Sequence, residues 1–209
     1  MTSVSIIGAG GMARAIAGVA LAAGADLQVV SRAPEEARAV TTELGDGIPG
    51  ALGDPLAGEI VVLALPFAAA TEVAAQQRDA LAGRVVVDIT NPVDFSTFDA
   101  LVVPADSSAT AVIQEAAPDA RVVKAFSTTF AAALARGTLA GAPLTVLVAG
   151  DDGGGRQAVV DLANAAGLRG VDAGGLKRAR ELEALGFLQM TLASSGATAW
   201  DGGFALVAP

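Results

Sequence analysis

The chain has 209 residues, of which 53% are hydrophobic and 17% are charged, and its formal net charge is −9. This composition excludes a disordered chain and indicates a sizeable core, and the negative charge argues against DNA or RNA as a partner. Cysteine, histidine and tyrosine are absent, which excludes disulfides, Cys or His metal sites, and a Ser-His-Asp or Tyr-Lys catalytic arrangement.

Short β-branched segments alternate with alanine-rich amphipathic segments along the whole chain. Strands are predicted at residues 4–7, 27–30, 48–52, 60–65, 85–89, 121–125, 144–148 and 168–171, and helices at 11–23, 34–44, 67–81, 108–117, 130–136, 156–166 and 177–193. The glycine run 153–155 indicates a flexible loop, and residues 90–106 indicate a long, irregular loop of the kind that carries function. The alternation predicts an α/β fold: a Rossmann-type, doubly wound parallel sheet with a small C-terminal α/β extension.

The sequence also bears on location. No apolar run approaches the roughly 20 residues that a membrane span requires. The first residues lead into a strand and do not have the pattern of a signal peptide. We therefore expect a cytoplasmic protein without membrane contact.

A glycine-rich segment follows the first predicted strand and opens the first predicted helix. It fits the pattern G-x-G-x-x-A and reads Gly8-Ala9-Gly10-Gly11-Met12-Ala13. The first glycine permits a tight turn, the second lets the backbone approach a pyrophosphate, and the small alanine lets helix and strand pack closely. The segment predicts a dinucleotide site at the amino end of the first helix.

The end of the second predicted strand indicates which dinucleotide binds. An NAD site would place Asp or Glu there to accept hydrogen bonds from the ribose hydroxyls, whereas this chain has Ser31 and Arg32. A hydroxyl and a guanidinium suit a 2′-phosphate, and Arg38 could add positive charge. We therefore expect NADP(H).

Two further segments lie at the carboxyl ends of predicted strands, where ligands bind in open α/β sheets. Both are expected to border the nicotinamide ribose and ring, although the second could equally be simple turn chemistry. They are Leu65-Pro66-Phe67 and Thr90-Asn91-Pro92.

Five segments carry a family resemblance by their order and spacing. They are Gly8 to Ala13, Ser31-Arg32, residues 88–92 (DITNP), residues 123–128 (VKAFST) and residues 175–181 (GLKRARE). Together they resemble the NADPH-dependent deazaflavin (coenzyme F-420) reductases, and also the oxidoreductase domain of six-transmembrane metalloreductases. The resemblance implies hydride transfer between NADP(H) and a deazaflavin (F-420) or a flavin. It also implies an NADP-binding domain at 1–125 and a C-terminal α/β lobe at 126–209 that completes the second-cofactor site.

The missing acid–base residues agree with this interpretation. Hydride exchange between two rings needs proximity, orientation and exclusion of water, and the cofactors carry the electronics. No catalytic side chain is therefore predicted. Lys124, at the end of a predicted strand, could face the site as a weak candidate, or it could equally be a structural lysine that snorkels to the surface. Three alternatives stay open: an NADPH-dependent flavin or ferric reductase, a non-catalytic NADP-binding redox sensor, and a small-substrate dehydrogenase completed by a partner subunit.

Two other features of the sequence are a basic cluster near the C-terminus and two strongly apolar helices. The basic cluster Lys177 to Arg180 is either a solvated helix start or an anion contact. The predicted helices at 67–81 and 182–192 have more apolar surface than one buried face needs, so a homodimer is expected.

Overall fold

The computed structural model describes residues 2–206; Met1 and residues 207–209 of the predicted C-terminal lobe lie outside that range. The strands are β1 (Ser3–Ile7), β2 (Asp26–Ser31), β3 (Ile48–Ala51), β4 (Ile60–Leu63), β5 (Val85–Asp88), β6 (Arg121–Lys124), β7 (Thr138–Leu139), β8 (Ala142–Pro143), β9 (Thr145–Gly150) and β10 (Arg169–Gly174). The helices are α1 (Gly11–Ala22), α2 (Pro34–Leu44), α3 (Phe67–Gln76), α4 (Arg78–Leu81), α5 (Ala109–Ala116), α6 (Ala131–Arg136), α7 (Gly153–Ala165) and α8 (Ala179–Ser194), and a 3₁₀ turn covers Leu176–Arg178.

Eight of these strands form one sheet in the order β10-β9-β6-β5-β4-β1-β2-β3. Strands β1 to β6 run parallel in the 3-2-1-4-5-6 order of the Rossmann fold. The expected α/β fold with a Rossmann-like sheet is therefore confirmed. The sheet is not wholly parallel, however, because β9 pairs antiparallel with β6 through Val123–Gly150 and Lys124–Ala149, and β10 follows the direction of β9.

The sheet separates two apolar cores. Successive side chains of a strand point to opposite faces, so a strand covered by helices on both sides is apolar throughout. In β4, Ile60 and Val62 pack on the face of α1, whereas Val61 and Leu63 pack on the face of α3 and α5. Helices cover both faces of the sheet, so the carboxyl ends of β1 to β6 remain accessible to a ligand.

Three local predictions are corrected. The glycine run 153–155 is the first turn of α7, because the Asp152 side chain caps the helix by accepting the Gly155 N–H. The single helix predicted at 67–81 is interrupted at Gln77, and β10 continues to Gly174 instead of ending at Val171. The small hairpin β7–β8 was not predicted at all.

The proposed division at residue 125 stays a prediction. The strands that follow it, β9 and β10, extend the same sheet. Within residues 2–206, every helix is too short or too polar to cross a membrane.

Candidate functional site

The glycine-rich loop joins β1 to α1 and packs tightly on β4. Gly8 has φ +126°, and a Cβ at this position would lie 2.3 Å from the Ala64 carbonyl oxygen. Gly10 differs, since it is exposed and a Cβ there would meet no atom within 4 Å. The fold itself therefore requires glycine at position 8. Position 10 has free space around it, so a bound ligand could approach the backbone there.

The amino end of α1 is prepared for an anion. Gly10 is the N-cap residue and supplies no side chain to bond the first amides of the helix. The loop is fixed from behind, because the Arg14 guanidinium donates to the Ala9 carbonyl oxygen at 2.7 Å and also pairs with Glu43 at 3.1 Å. Free amides and a positive helix end together favour a phosphate at this position.

A pocket of about 340 Å³ extends from this loop to the end of β2, and we call it the Ser31 pocket. Glu36 and Glu72 are among its lining residues. Half of the predicted cofactor-binding residues line it: Gly8, Ala9, Gly10, Ser31, Arg32, Leu65 and Pro66.

A second cavity of about 570 Å³ adjoins the Ser31 pocket, and we call it the Asn91 cavity. The two share Ala64, Leu65 and Pro66 as a common wall. The predicted residues that line the cavity are Met12, Leu65, Pro66, Phe67, Thr90, Asn91 and Pro92. Together the pockets follow the carboxyl ends of β1, β2, β4, β5 and β6, which is where this fold binds ligands.

Two predicted residues face neither pocket. Ala13 is 1% exposed and packs in the apolar core against the sheet. Gly11 is exposed at the first position of α1 and lines a recess on the other side of that helix.

Aromatic side chains wall the Asn91 cavity, and none of its lining residues in the described chain is charged. The aromatic residues are Phe67, Phe95, Phe126, Phe130 and Trp200. Phe95 and Trp200 are 69% and 52% exposed and form the rim, and Trp200 packs on Phe130 with ring centroids 5.1 Å apart. Phe126 is buried with φ +60°, a left-handed conformation that is strained for a bulky residue and concentrates at functional sites. Such walls suit a flat, apolar ring.

Four polar atoms carry the clearest sign of a ligand. Among residues 2–206, the buried side-chain polar atoms without a hydrogen-bond partner are Thr90 Oγ1, Asn91 Oδ1, Ser127 Oγ and Gln189 Oε1. All four residues line the Asn91 cavity. A buried polar atom without a partner is costly and uncommon, so four around one cavity mark this part of the structure as a candidate binding site.

Comparison with known proteins agrees with this geometry. A family model described as "NADP oxidoreductase coenzyme F420-dependent" matches residues 3–92. The F420-dependent NADP reductase of Methanocaldococcus jannaschii is 31% identical over an alignment of 132 residues that covers 61% of this chain and 59% of that protein. The amino-terminal part of the chain, residues 3–92, is therefore similar to F420-dependent NADP oxidoreductases. The alignment spans less than two thirds of that relative's length.

Two crystal structures extend the similarity to nearly the whole chain. A protein of Arthrobacter sp. FB24, provisionally assigned as an F420-dependent NADP reductase, is 26% identical, with 98% of this chain and 99% of that chain covered and a TM-score of 0.83. The hypothetical protein SMa0349 of Sinorhizobium meliloti is 31% identical, with 84% and 86% covered and a TM-score of 0.76.

The part matched by the family model, 3–92, contains all predicted cofactor-binding residues and reaches Asn91 in the cavity. Most of the cavity-lining residues that sequence reasoning did not assign follow this part of the chain, although Ala64, Ala68 and Ile89 lie within it. Those that follow it include Ser127, Phe130, Gly186, Gln189, Met190 and Trp200. The only available signal was the resemblance in residues 123–128 and the expectation that the C-terminal segment borders the second ring.

Lys124 does not line either pocket. Its side chain is fully buried, 2.7 Å from Asp88 Oδ2 and 3.0 Å from Glu183 Oε1, and it donates to the Thr90 carbonyl oxygen at 2.6 Å. The cation therefore neither snorkels to the surface nor faces a ligand. Its position indicates a structural role in holding the backbone of Thr90, next to the cavity.

Glu183 connects α8 to this buried group. Its carboxylate accepts the Ala109 N–H at 3.0 Å and the Thr110 N–H at 3.3 Å, at the amino end of α5. Asp88 in turn accepts the Thr90 N–H at 2.8 Å. Helix dipole, amides and the Lys124 ammonium together stabilise two carboxylates inside the protein.

The basic cluster at the start of α8 lies outside both pockets. Arg180 donates to the carbonyl oxygens of Pro104 and Ser107 at 2.8 and 3.0 Å, which ties α8 to the loop before α5. Arg178 pairs with Glu181 at 2.7 Å, and this hydrogen bond holds the pKa of the Glu181 carboxyl below its usual value. Arg178 and Arg180 therefore make protein contacts, which supports the structural interpretation of the cluster.

Gly186 fixes the position of Asn91. A Cβ on Gly186 would lie 2.6 Å from the Ser127 carbonyl oxygen and 2.7 Å from Asn91 Oδ1, whereas the native Asn91 Nδ2 donates to that carbonyl at 2.8 Å. Gly186→Ala should therefore displace Asn91 and lower the free energy of unfolding by about 1–3 kcal/mol, measured by urea denaturation. Helix propensity alone would instead raise it by up to about 1 kcal/mol.

The matched control is Gly18→Ala in α1. A Cβ at Gly18 would meet no atom within 4 Å, so this change should stabilise the protein by about 0.5–1 kcal/mol. Equal stabilisation by both variants would contradict the packing of α8 on Asn91.

Proposed function

We propose that this protein transfers a hydride between NADP(H) and a deazaflavin coenzyme of the F420 type. The observation that carries the proposal is the pair of adjoining pockets, one at the glycine loop and one with aromatic walls and four unpartnered polar atoms. The match of residues 3–92 to F420-dependent NADP oxidoreductases and the similarity to the F420-dependent NADP reductase of Methanocaldococcus jannaschii support the same reaction.

The Ser31 pocket fits a dinucleotide phosphate. The open backbone at Gly10 and the amides of α1 would receive the pyrophosphate. Ser31 and Arg32 border the place where the adenosine ribose would lie. Since Leu65 and Pro66 line both pockets, a dinucleotide that lies along this wall would extend its nicotinamide into the Asn91 cavity.

The Asn91 cavity fits the two rings. When bound, NADPH supplies the hydride and a deazaflavin or flavin ring accepts it. The aromatic walls would hold the rings in parallel and exclude water, and Thr90, Asn91, Ser127 and Gln189 would bond their polar edges. No charged side chain of the described lining residues stands ready to exchange a proton, so a proton needed by the acceptor would come from solvent.

Anaerobic mixing of the protein with NADPH and one acceptor at a time tests the proposal. The acceptors are F420, FMN, FAD and a ferric chelate, and the visible absorption of each reports its reduction. We expect rapid bleaching of F420. Faster reduction of a flavin or of the ferric chelate would assign the alternative reductase activity. Tight NADPH binding without reduction of any acceptor would favour a redox sensor.

Arg32→Ala tests the assignment of the 2′-phosphate site. The loss of one charge-assisted hydrogen bond is worth about 1.5–3 kcal/mol, so NADPH should bind roughly 10–150-fold more weakly while NADH changes little. Calorimetric titration measures both affinities. Arg38→Ala is the control, because Arg38 is exposed on α2 and does not line the pocket. Equal losses for NADPH and NADH would refute the assignment.

Assembly and location belong to the proposal as well. We propose a homodimer, on the ground of the apolar surface expected for the predicted helices at 67–81 and 182–192. We also propose a cytoplasmic location. Light scattering coupled to gel filtration would measure the oligomeric state, and fractionation of cells would measure the location.

A further inference from the structure

The hydroxyl of Ser31 is already engaged within the protein. It donates its only proton to Glu36 Oε2 at 3.1 Å and accepts the Ala33 N–H at 3.4 Å. Glu36 is the third residue of α2, in the first turn, where the positive end of the helix stabilises a carboxylate. Glu36 of α2 therefore places a carboxylate beside Ser31, the last residue of β2.

The charges around this position are mixed. Arg32 and Glu36 both line the Ser31 pocket, and Glu72 adds a second carboxylate from α3. In the described part of the chain, 2–206, the Arg32 guanidinium makes no side-chain hydrogen bond or ion pair, so it is available to a ligand anion. A 2′-phosphate bound by Arg32 would meet the Glu36 carboxylate at the same pocket wall.

Glu36 acts on two ligands in opposite ways. Its carboxylate would repel a bound 2′-phosphate, and it accepts the Ser31 hydroxyl proton that the phosphate would otherwise receive. A ribose that carries a free 2′-hydroxyl meets the opposite situation, because a carboxylate at the end of the second strand is the usual acceptor for that hydroxyl in NAD sites.

We propose that Glu36 is a selectivity residue that lowers the preference for NADP(H) over NAD(H), so that the protein binds both cofactors. This inference rests on the proposed function only in that a dinucleotide occupies the Ser31 pocket. It adds NAD(H) as a second class of ligand and assigns the discrimination between the two to the Ser31–Glu36 hydrogen bond.

Calorimetric titration of the full chain with NADP⁺ and with NAD⁺ tests the proposal, using the unchanged protein, Glu36→Gln and Glu35→Gln. Glu35 is the matched control, since it is the adjacent exposed carboxylate in α2 and does not line the pocket. Removal of one charge a few ångströms from a phosphate should tighten NADP⁺ by roughly tenfold. The same change should weaken NAD⁺ by about three- to tenfold, because an acceptor for the ribose hydroxyl is weakened.

The possible results distinguish a failure of the selectivity role of Glu36 from a failure of the proposed function. Opposite changes for NADP⁺ and NAD⁺ in Glu36→Gln, with less than about twofold change in Glu35→Gln, support the selectivity role. Unchanged affinities in Glu36→Gln, or equal changes in both variants, overturn it while NADP(H) binding stands. No binding of either dinucleotide to the unchanged protein overturns the proposed function together with this inference.

Discussion

Gly10→Val is expected to abolish dinucleotide binding while the protein stays folded. A Cβ at Gly10 meets no protein atom within 4 Å, and the backbone there, with φ −77° and ψ −174°, is extended and open to any residue. The fold therefore does not need glycine at this position. A branched side chain would, however, occupy the space into which a pyrophosphate must come to reach the α1 amides.

We expect NADPH affinity to fall more than about 100-fold in Gly10→Val, with a melting temperature within a few degrees of the unchanged protein. Calorimetric titration and thermal unfolding measure the two quantities. Gly8→Ala is the contrasting variant, because its Cβ would lie 2.3 Å from the Ala64 carbonyl oxygen in a left-handed backbone. That change should reduce stability as well as binding. Normal NADPH affinity in a folded Gly10→Val protein would show that the dinucleotide does not bind at this loop.

Lys124→Met is expected to destabilise the protein by about 3–5 kcal/mol, because it leaves the carboxylates of Asp88 and Glu183 buried without their cation. Urea denaturation measures the loss. Lys177→Met is the control: Lys177 is exposed, and a surface change of this kind stays within about 0.5 kcal/mol. If both variants lose equally little, the buried ion cluster does not stabilise the fold.

Activity of Lys124→Met separates a structural lysine from a proton donor. The lysine holds the Thr90 carbonyl and does not line the Asn91 cavity, so hydride transfer should slow by about tenfold through displaced Thr90 and Asn91. A loss beyond about 10⁴-fold at unchanged NADPH affinity would indicate proton transfer by this side chain. Double substitution with Glu183→Gln should recover part of the lost stability, because it removes one of the uncompensated charges.

Local patterns were enough to predict much of this fold. Gly8 to Ala13 sit between a buried strand and an amphipathic helix, and both flanking elements formed as the periodicity predicts. Ser31 and Asn91 are brought to one edge because parallel strands end there. These predictions depend only on residues near one another in the chain and on a rule of topology.

Features that depend on distant contacts were not predictable. The Lys124 cluster joins β5, β6, α5 and α8, and no local signal in the sequence shows that Glu183 lies beside Lys124. Gln189 lines the cavity because α8 packs beside it, and this packing cannot be inferred from the residues near Gln189 in the sequence. The antiparallel direction of β9 likewise results from the route of the chain between β6 and β9, which strand periodicity does not encode.

The reversed direction of β9 and β10 determines where α8 can begin. Because β9 runs antiparallel to β6, the turn after β9 lies beside the start of β6, where Asp152 pairs with Arg121. The chain enters the 3₁₀ turn next to this place, since the Leu176 N–H donates to Asp151. Helix α8 then begins at Ala179, and its second turn already reaches the end of β6, where Glu183 lies 3.0 Å from Lys124. The helix continues for sixteen residues in all, about 24 Å, and this length is what places Gly186 against Asn91 and Gln189 in the wall of the cavity.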